Sequence, residues 1–282
     1  MRSRAVWLVL GGILSVQFGA AIAKDLFDLI TPTAMVWLRL ATSSVVLVAL
    51  ARPALRGRTR EDWLVVLAFG VTLGLMNWAI YQSFARIPLG VAVTIEFLGP
   101  LTVAVFGSRR ARDLVWVGLA GLGVALLGFQ PAGLTVAGVA FALVAAAAWA
   151  AYILLSARTG SRWAGLDGLA VASVVGTLLL TPAVLAGGAG ALWDGRVLLL
   201  GALVGLLSSV VPYSLELTAL RTITPGLFGI LMSLEPAAAA LAGMLLLAEF
   251  LSPVQWLAMA CVVVASVGAT RSAPPPLEPA PH

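Results

Sequence analysis

Apolar runs of about twenty residues alternate along this chain with short breaks that carry charge, glycine or proline. The runs lie at about 5–23, 33–51, 63–84, 88–107, 113–129, 134–157, 166–187, 196–219, 224–247 and 252–270. A helix needs roughly 20 apolar residues to cross the hydrocarbon core of a bilayer. The pattern therefore predicts an all-α polytopic membrane protein of ten transmembrane helices. The breaks read as turns: Arg52-Pro53, Gly107-Ser108-Arg109-Arg110, Gln130-Pro131 and Gly187-Gly188. The first run has some look of a cleavable leader, with Arg2 and Arg4 before it and Ala21-Ile22-Ala23 near its end. Its length, and nine further runs that need no leader, point to a membrane span.

Composition agrees. Hydrophobic residues make up 61% of the 282 residues and charged residues 10%, where a soluble domain carries about 25% charged residues. A chain so poor in charge cannot cover a globule with polar groups, so its solvent is lipid. The net charge of +5 does not indicate nucleic acid. The arginines sit in short gaps between apolar runs and form no continuous basic face, as in loops beside an anionic leaflet. One cysteine, Cys261, and one histidine, the terminal His282, exclude a disulfide framework, a cysteine-rich metal site and a histidine base. No metal and no other cofactor is expected.

Charge also orients the spans. With the N-terminus in the cytoplasm, the inner segments hold thirteen basic residues: Arg2, Arg4, Arg52, Arg56, Arg58, Arg60, Arg109, Arg110, Arg112, Arg158, Arg162, Arg221 and Arg271. The outer segments hold three: Lys24, Arg86 and Arg196. By the positive-inside rule both termini are cytoplasmic. The stretch 271–282, with five prolines in its last nine residues, reads as a disordered tail.

Two segments resemble each other. Ile87-Pro88-Leu89-Gly90 leads to Glu96-Phe97-Leu98-Gly99-Pro100, and Thr224-Pro225-Gly226 leads to Leu234-Glu235-Pro236. Each has proline at a helix start, then glycine, then glutamate and proline near mid-helix. The natural division is a first five-helix repeat at 1–131 and a second at 132–270. An odd number of spans per half turns the second upside down, and such inverted repeats form sites at their midplane interface.

Ionisable residues inside spans are costly in lipid, so each is a functional candidate. Glu96 lies about eight residues into its span, ~12 Å deep at 1.5 Å per residue, and Glu235 is similarly central. Glu216 sits nearer the cytoplasmic end of span eight, and Arg39 lies inside span two. Pro100 has no N–H for the carbonyl four residues back, which belongs to Glu96. These glutamates read as cavity carboxylates that bind a cationic group or carry a proton. The alternative is a structural glutamate paired with Arg39 or capped by hydroxyls. Asn77 and Tyr81 share one face of span three, as a site or as an interhelical hydrogen-bonding face. Trp149 and Tyr152 pair on span six, for packing or for binding. Gln17 is polar within span one, and Pro212-Tyr213 opens a kink in span eight. Lys24 reads as snorkelling or pairing with Asp25. Gly201-x-x-x-Gly205 reads as close helix packing.

With these residues in place, the chain resembles the EamA-type carriers of the drug/metabolite transporter superfamily, and within them the bacterial threonine/homoserine exporters. The stretches that carry the likeness are Ser15 to Lys24, Met76-Asn77, Pro88-Leu89-Gly90 with Glu96-Phe97 and Gly99-Pro100-Leu101, Ser108-Arg109-Arg110, Trp149 to Leu154, Pro212 to Glu216, and Leu234-Glu235-Pro236 through Glu249. The resemblance implies ten helices in a 5+5 inverted repeat and proton-coupled export of small neutral amino acids. Two departures, Gln82 and Thr224-Pro225-Gly226-Leu227, are expected to line the cavity.

The expected function is amino-acid export across the bacterial cytoplasmic membrane by alternating access. The partners are a small amino acid, protons and the bilayer, and not nucleic acid. The alternative is efflux of another small metabolite or drug. No nucleophile–base pair and no H-E-x-x-H motif points to an enzyme.

Overall fold

The computed structural model of the chain describes residues 2–108, 114–128, 134–187, 190, 192, 194–220 and 222–272. The helices are α1 (Arg2–Asp25), α2 (Pro32–Ala51), α3 (Arg60–Phe84), α4 (Leu89–Glu96), α5 (Leu98–Ser108), α6 (Leu114–Gly128), α7 (Val136–Gly160), α8 (Asp167–Ala186), α9 (Gly195–Gly205), α10 (Val211–Leu220), α11 (Pro225–Met232), α12 (Glu235–Leu247) and α13 (Pro253–Ser272). A single 3₁₀ turn, Leu26–Asp28, follows α1, and a π turn, Leu206–Val210, joins α9 to α10.

The helix starts follow from local chemistry. Thr31 caps α2 by accepting from the Ala34 N–H, with Pro32 in the first turn. Thr59 and Asp62 form a reciprocal capping box on α3, and Thr135 caps α7 through the Gly138 N–H. Each cap satisfies backbone donors that a helix start leaves unpaired.

Among the described residues nine stretches are long and apolar enough to cross a bilayer: Arg4–Asp28, Pro32–Ala51, Arg60–Phe84, Leu89–Phe106, Val136–Gly160, Asp167–Ala186, Gly195–Glu216, Leu227–Leu247 and Pro253–Arg271. Nine of the ten predicted runs thus reappear close to their expected bounds. The fifth, expected at 113–129, is the shorter apolar helix Leu114–Leu127, and its expected ends fall outside the described residues. So does the proline-rich tail beyond residue 272. Large apolar side chains face outward around the bundle, Trp7, Val45, Phe106 and Leu199 at 71–77% exposure. A surface of this kind is suited to lipid. The protein is a multi-pass membrane protein.

Packing brings distant helices together. α3 lies against α7 and α8, α2 against α8 and α9, and α1 against α10 and α12. α4 contacts α12 and α7, α5 contacts α7, and α6 packs on α13. Small residues set several of these distances. Gly201 and Gly205 face Leu38 and Thr42 of α2, where an added Cβ would stand 2.6 and 2.8 Å from those side chains. The predicted glycine seam is therefore a real contact. A Cβ on Gly90 would stand 2.9 Å from Ala240, and one on Gly99 would clash with the Ala146 carbonyl. Without a hydrophobic drive between helices in lipid, such close approach supplies the dispersion that holds them.

Gly99→Val is expected to destabilise the fold by about 1–3 kcal/mol through overpacking against the α7 backbone. Gly118→Ala, in the interior of α6 where an added methyl meets open space, should not lower stability and by helix propensity should raise it by up to about 1 kcal/mol. Unfolding temperatures of the two proteins in one detergent check the contrast.

Candidate functional site

Three spans are interrupted near their middles, and proline is present at each interruption. Pro212 has no N–H to give the Ser208 carbonyl four residues back. In the π turn the Val211 N–H bonds instead to the Leu206 carbonyl, which leaves the Leu207 carbonyl free as well. Both carbonyls find partners from other helices. Ser15 Oγ of α1 donates to the Leu207 oxygen at 2.6 Å, and Arg39 Nη2 of α2 donates to the Ser208 oxygen at 3.0 Å. The other two breaks share a pattern: Glu96 ends α4 and Glu235 begins α12, with Pro100 and Pro236 following.

Between these breaks lies a cavity of about 560 Å³. Eight of the nine side chains anticipated from the sequence line it: Gln17, Arg39, Asn77, Tyr81, Glu96, Tyr152, Glu216 and Glu235. Tyr213 belongs to α10 by its backbone, but its side chain lies outside what is described. Glu235 is buried, at 7% exposure. Glu216 is accommodated by Gly12 of α1, where a Cβ would stand 3.5 Å from the glutamate Cγ. None of the three glutamates has a hydrogen-bond or ion-pair partner among the described residues. The expected alternative of a Glu96–Arg39 ion pair is therefore not formed. Arg39 still lies within electrostatic reach of Glu96, and Glu235 within reach of both Glu216 and Glu96.

Arg39 is held on two sides. Nη1 donates to the Tyr81 hydroxyl at 3.4 Å and Nη2 to the π turn, while Nε is buried without a partner. Tyr81 is fully buried between Phe27 and Phe84, at ring separations of 6.1 and 5.4 Å. Gln17 is 2% exposed and its Oε1 has no partner. Asn77 spends its Nδ2 on the Leu73 carbonyl one turn back, at 2.9 Å. An anchored cation, uncommitted carboxylates and the free amide oxygen of Gln17 make a cavity that complements a zwitterion.

Several sequence readings are corrected. Gln82 does not line the cavity: its Nε2 donates to Thr33 Oγ1, and its own oxygens accept from Arg86. Thr224 caps α11 through the Leu227 N–H, and neither Thr224 nor Leu227 lines the cavity, while the side chain of Pro225 and the surroundings of Gly226 lie outside what is described. Lys24 neither snorkels nor pairs with Asp25. Its Nζ lies 2.5 Å from Glu249 Oε1 and donates to the Ile87 carbonyl at 2.8 Å. Trp149 packs edge-on against Phe97 at 5.3 Å and also lines the cavity, so its two readings are not exclusive. Ser208 was missed, although Pro212 four residues later was the available signal.

The lining extends one way along the bundle, to Ala104 of α5, Phe228 of α11 and Thr270 of α13, each near a helix end. The other way it reaches Ala20 of α1, one turn before Lys24, Val93 of α4, and Phe84, the last residue of α3. Elsewhere, Arg162 in the α7–α8 connection bonds Asp62 at 3.0 Å and Glu61 at 2.5 Å. Those bonds, that to Asp62 foremost, raise the guanidinium pKa above its ordinary value.

Residues 136–271 match the EamA-like transporter family. The chain is 42% identical over 96% of its length to the threonine/homoserine exporter RhtA of Escherichia coli (strain K12), covering 94% of that protein. It is 41% identical over 95% of its length to the threonine/homoserine exporter RhtA of Salmonella typhimurium (strain LT2), covering 93% of it. A solved crystal structure aligns with a TM-score of 0.66 at 19% identity, over 97% of this chain and 98% of its own, which is a likeness of fold alone. On the span of these identities, the chain belongs to the EamA-like transporter family.

Proposed function

We propose that this protein exports small neutral amino acids of the threonine/homoserine type across the bacterial cytoplasmic membrane, as a proton-coupled carrier working by alternating access and not as an enzyme. The observation that carries the reading is the cavity between interrupted helices, with three uncommitted carboxylates and one anchored guanidinium. The substrate ammonium group meets Glu96 or Glu235, and its carboxylate meets Arg39 at the open Nε. Gln17, Asn77, Tyr81, Tyr152, Tyr213 and Glu216 complete the site. A carboxylate that exchanges a substrate ammonium for a proton couples the two fluxes. The names of the relatives support the substrate class.

The architecture proposed is ten helices in two opposed sets, 1–131 and 132–270, with both termini cytoplasmic and a tail from 271. Count α4–α5, α9–α10 and α11–α12 each as one broken span. Exchanging every span with the one five later then carries the α3–α7 contact into α1–α10, α3–α8 into α2–α9, and α1–α12 into the packing of α4 and α5 on α7. The α2–α8, α4–α12 and α6–α13 contacts map onto themselves. The α2–α3, α3–α4 and α5–α13 contacts lack such a counterpart among the described residues, and the matching of the others supports a 5+5 repeat. The excess of arginine in the inner segments supports the orientation.

A second reading, efflux of a larger apolar solute, draws on the aromatic wall of Phe97, Trp149 and Phe228. Counterflow in liposomes with labelled amino acids and unrelated drugs separates the two. Threonine and homoserine should exchange and the drugs should not.

Glu96→Gln and Glu235→Gln, inserted at parental levels, are each expected to slow threonine and homoserine counterflow about tenfold or more, the worth of a charge-assisted hydrogen bond. Parental rates in both would remove these residues from the site. An imposed proton gradient should drive homoserine against its own gradient in parental liposomes. Movement indifferent to that gradient would end the proton-coupled part of the reading.

A further inference from the structure

At the end of the bundle beyond Ala20 and Phe84 of the cavity lining, Lys24 and Glu249 join three helices. Lys24 lies in the last turn of α1. Glu249 follows α12, where Ala248 adopts a left-handed conformation at φ 53° and the Glu249 N–H bonds back to the Gly243 carbonyl at 3.1 Å. That reversal folds the carboxylate under the helix end. Its Oε1 takes Lys24 Nζ at 2.5 Å, and its Oε2 accepts the Leu89 N–H at the start of α4 at 2.7 Å. Lys24 also donates to the Ile87 carbonyl, just ahead of α4. Both side chains are largely buried, at 17 and 18% exposure. Gly243 makes the room: a Cβ there would stand 3.0 Å from the Glu249 carboxylate. Below the pair, α4 and α12 meet at Gly90 and Ala240.

We infer that Lys24 and Glu249 form a gate that shuts the cavity at this end. The inference rests on the alternating-access reading above and names what must separate for the opposite end to open. The pair links α1 and α4, from the first half of the chain, to α12, from the second. The cavity cannot open between those halves while the carboxylate holds both the ammonium and the α4 N-terminus. Each group alone is a poor occupant of this place, because removing one partner leaves a largely buried charge unpaired. A rearrangement must therefore release both into water together, which makes the closed state discrete. With the N-terminus cytoplasmic, the gate faces outward and the present conformation is closed to the outside.

A thiol just inside the gate reads this directly. Ala20→Cys, in a Cys261→Ser background, places one cysteine on the cavity wall, one helical turn before Lys24. Its modification by a membrane-impermeant thiol reagent is timed in intact cells and in inverted membrane vesicles. Without further change it should react slowly from the Lys24 side and quickly from the other. Lys24→Met and Glu249→Gln should each raise the rate from the Lys24 side about tenfold or more and lower it from the other, since one conformation is exchanged for the other. Unchanged rates from the Lys24 side in both variants would mean that packing alone closes this end. A rise from both sides would mean general loosening. Either result overturns the gate. If the slow side is the cytoplasmic one, the proposed orientation fails, and the same comparison read from that side still decides the gate. If the reciprocal rates appear in a protein that moves no amino acid, the export reading fails and the gate stands.

Discussion

A bilayer has no water with which to satisfy a backbone group, so every interrupted helix within it must find partners from its neighbours. In this protein the interruptions come first, and much of the site follows from them. Pro212 and the π turn release two carbonyls in the middle of a span. Ser15 and Arg39 reach across from α1 and α2 to take them. Arg39 is a cation in the middle of the membrane, and its position is set by this backbone debt as much as by any substrate. Tyr81 then supports the guanidinium from α3. The breaks at Glu96 and Glu235 place carboxylates at the same level, so charge of both signs gathers where regular helix is missing.

The fold was largely legible in the sequence because lipid imposes a length. Runs such as 33–51 and 166–187 are about as long as a bilayer core requires, and the helices Pro32–Ala51 and Asp167–Ala186 end within a residue of those bounds. The fifth run, 113–129, is found as the shorter apolar helix Leu114–Leu127. The site was legible through cost. A glutamate in an apolar run stands out whatever its neighbours, and Glu96, Glu216 and Glu235 all line one cavity.

What sequence reasoning missed was pairing over long separations. Lys24 and Glu249 stand 225 positions apart, and no periodicity within either span relates them. Local logic offered Asp25 as the lysine's partner because it is adjacent. Consecutive residues on a helix point about 100° apart, and tertiary packing brought Glu249 nearer. Gln82 misled for the opposite reason. It is polar within an apolar run and departs from the family pattern, but its side chain turns toward Thr33 and Arg86.

The π turn has one more consequence. Such a turn holds one residue more than the α-helical turn it replaces, so all that follows is rotated by about 100° relative to an unbroken helix. Glu216 lies beyond it. In a span of uniform winding, the face that α10 now presents to Gly12 would carry a neighbouring residue, and the glutamate would point about a quarter-turn aside. The carboxylate in the cavity is therefore owed partly to five residues, Leu206–Val210, that carry no charge. A helical wheel drawn through the whole span would put its two halves out of phase.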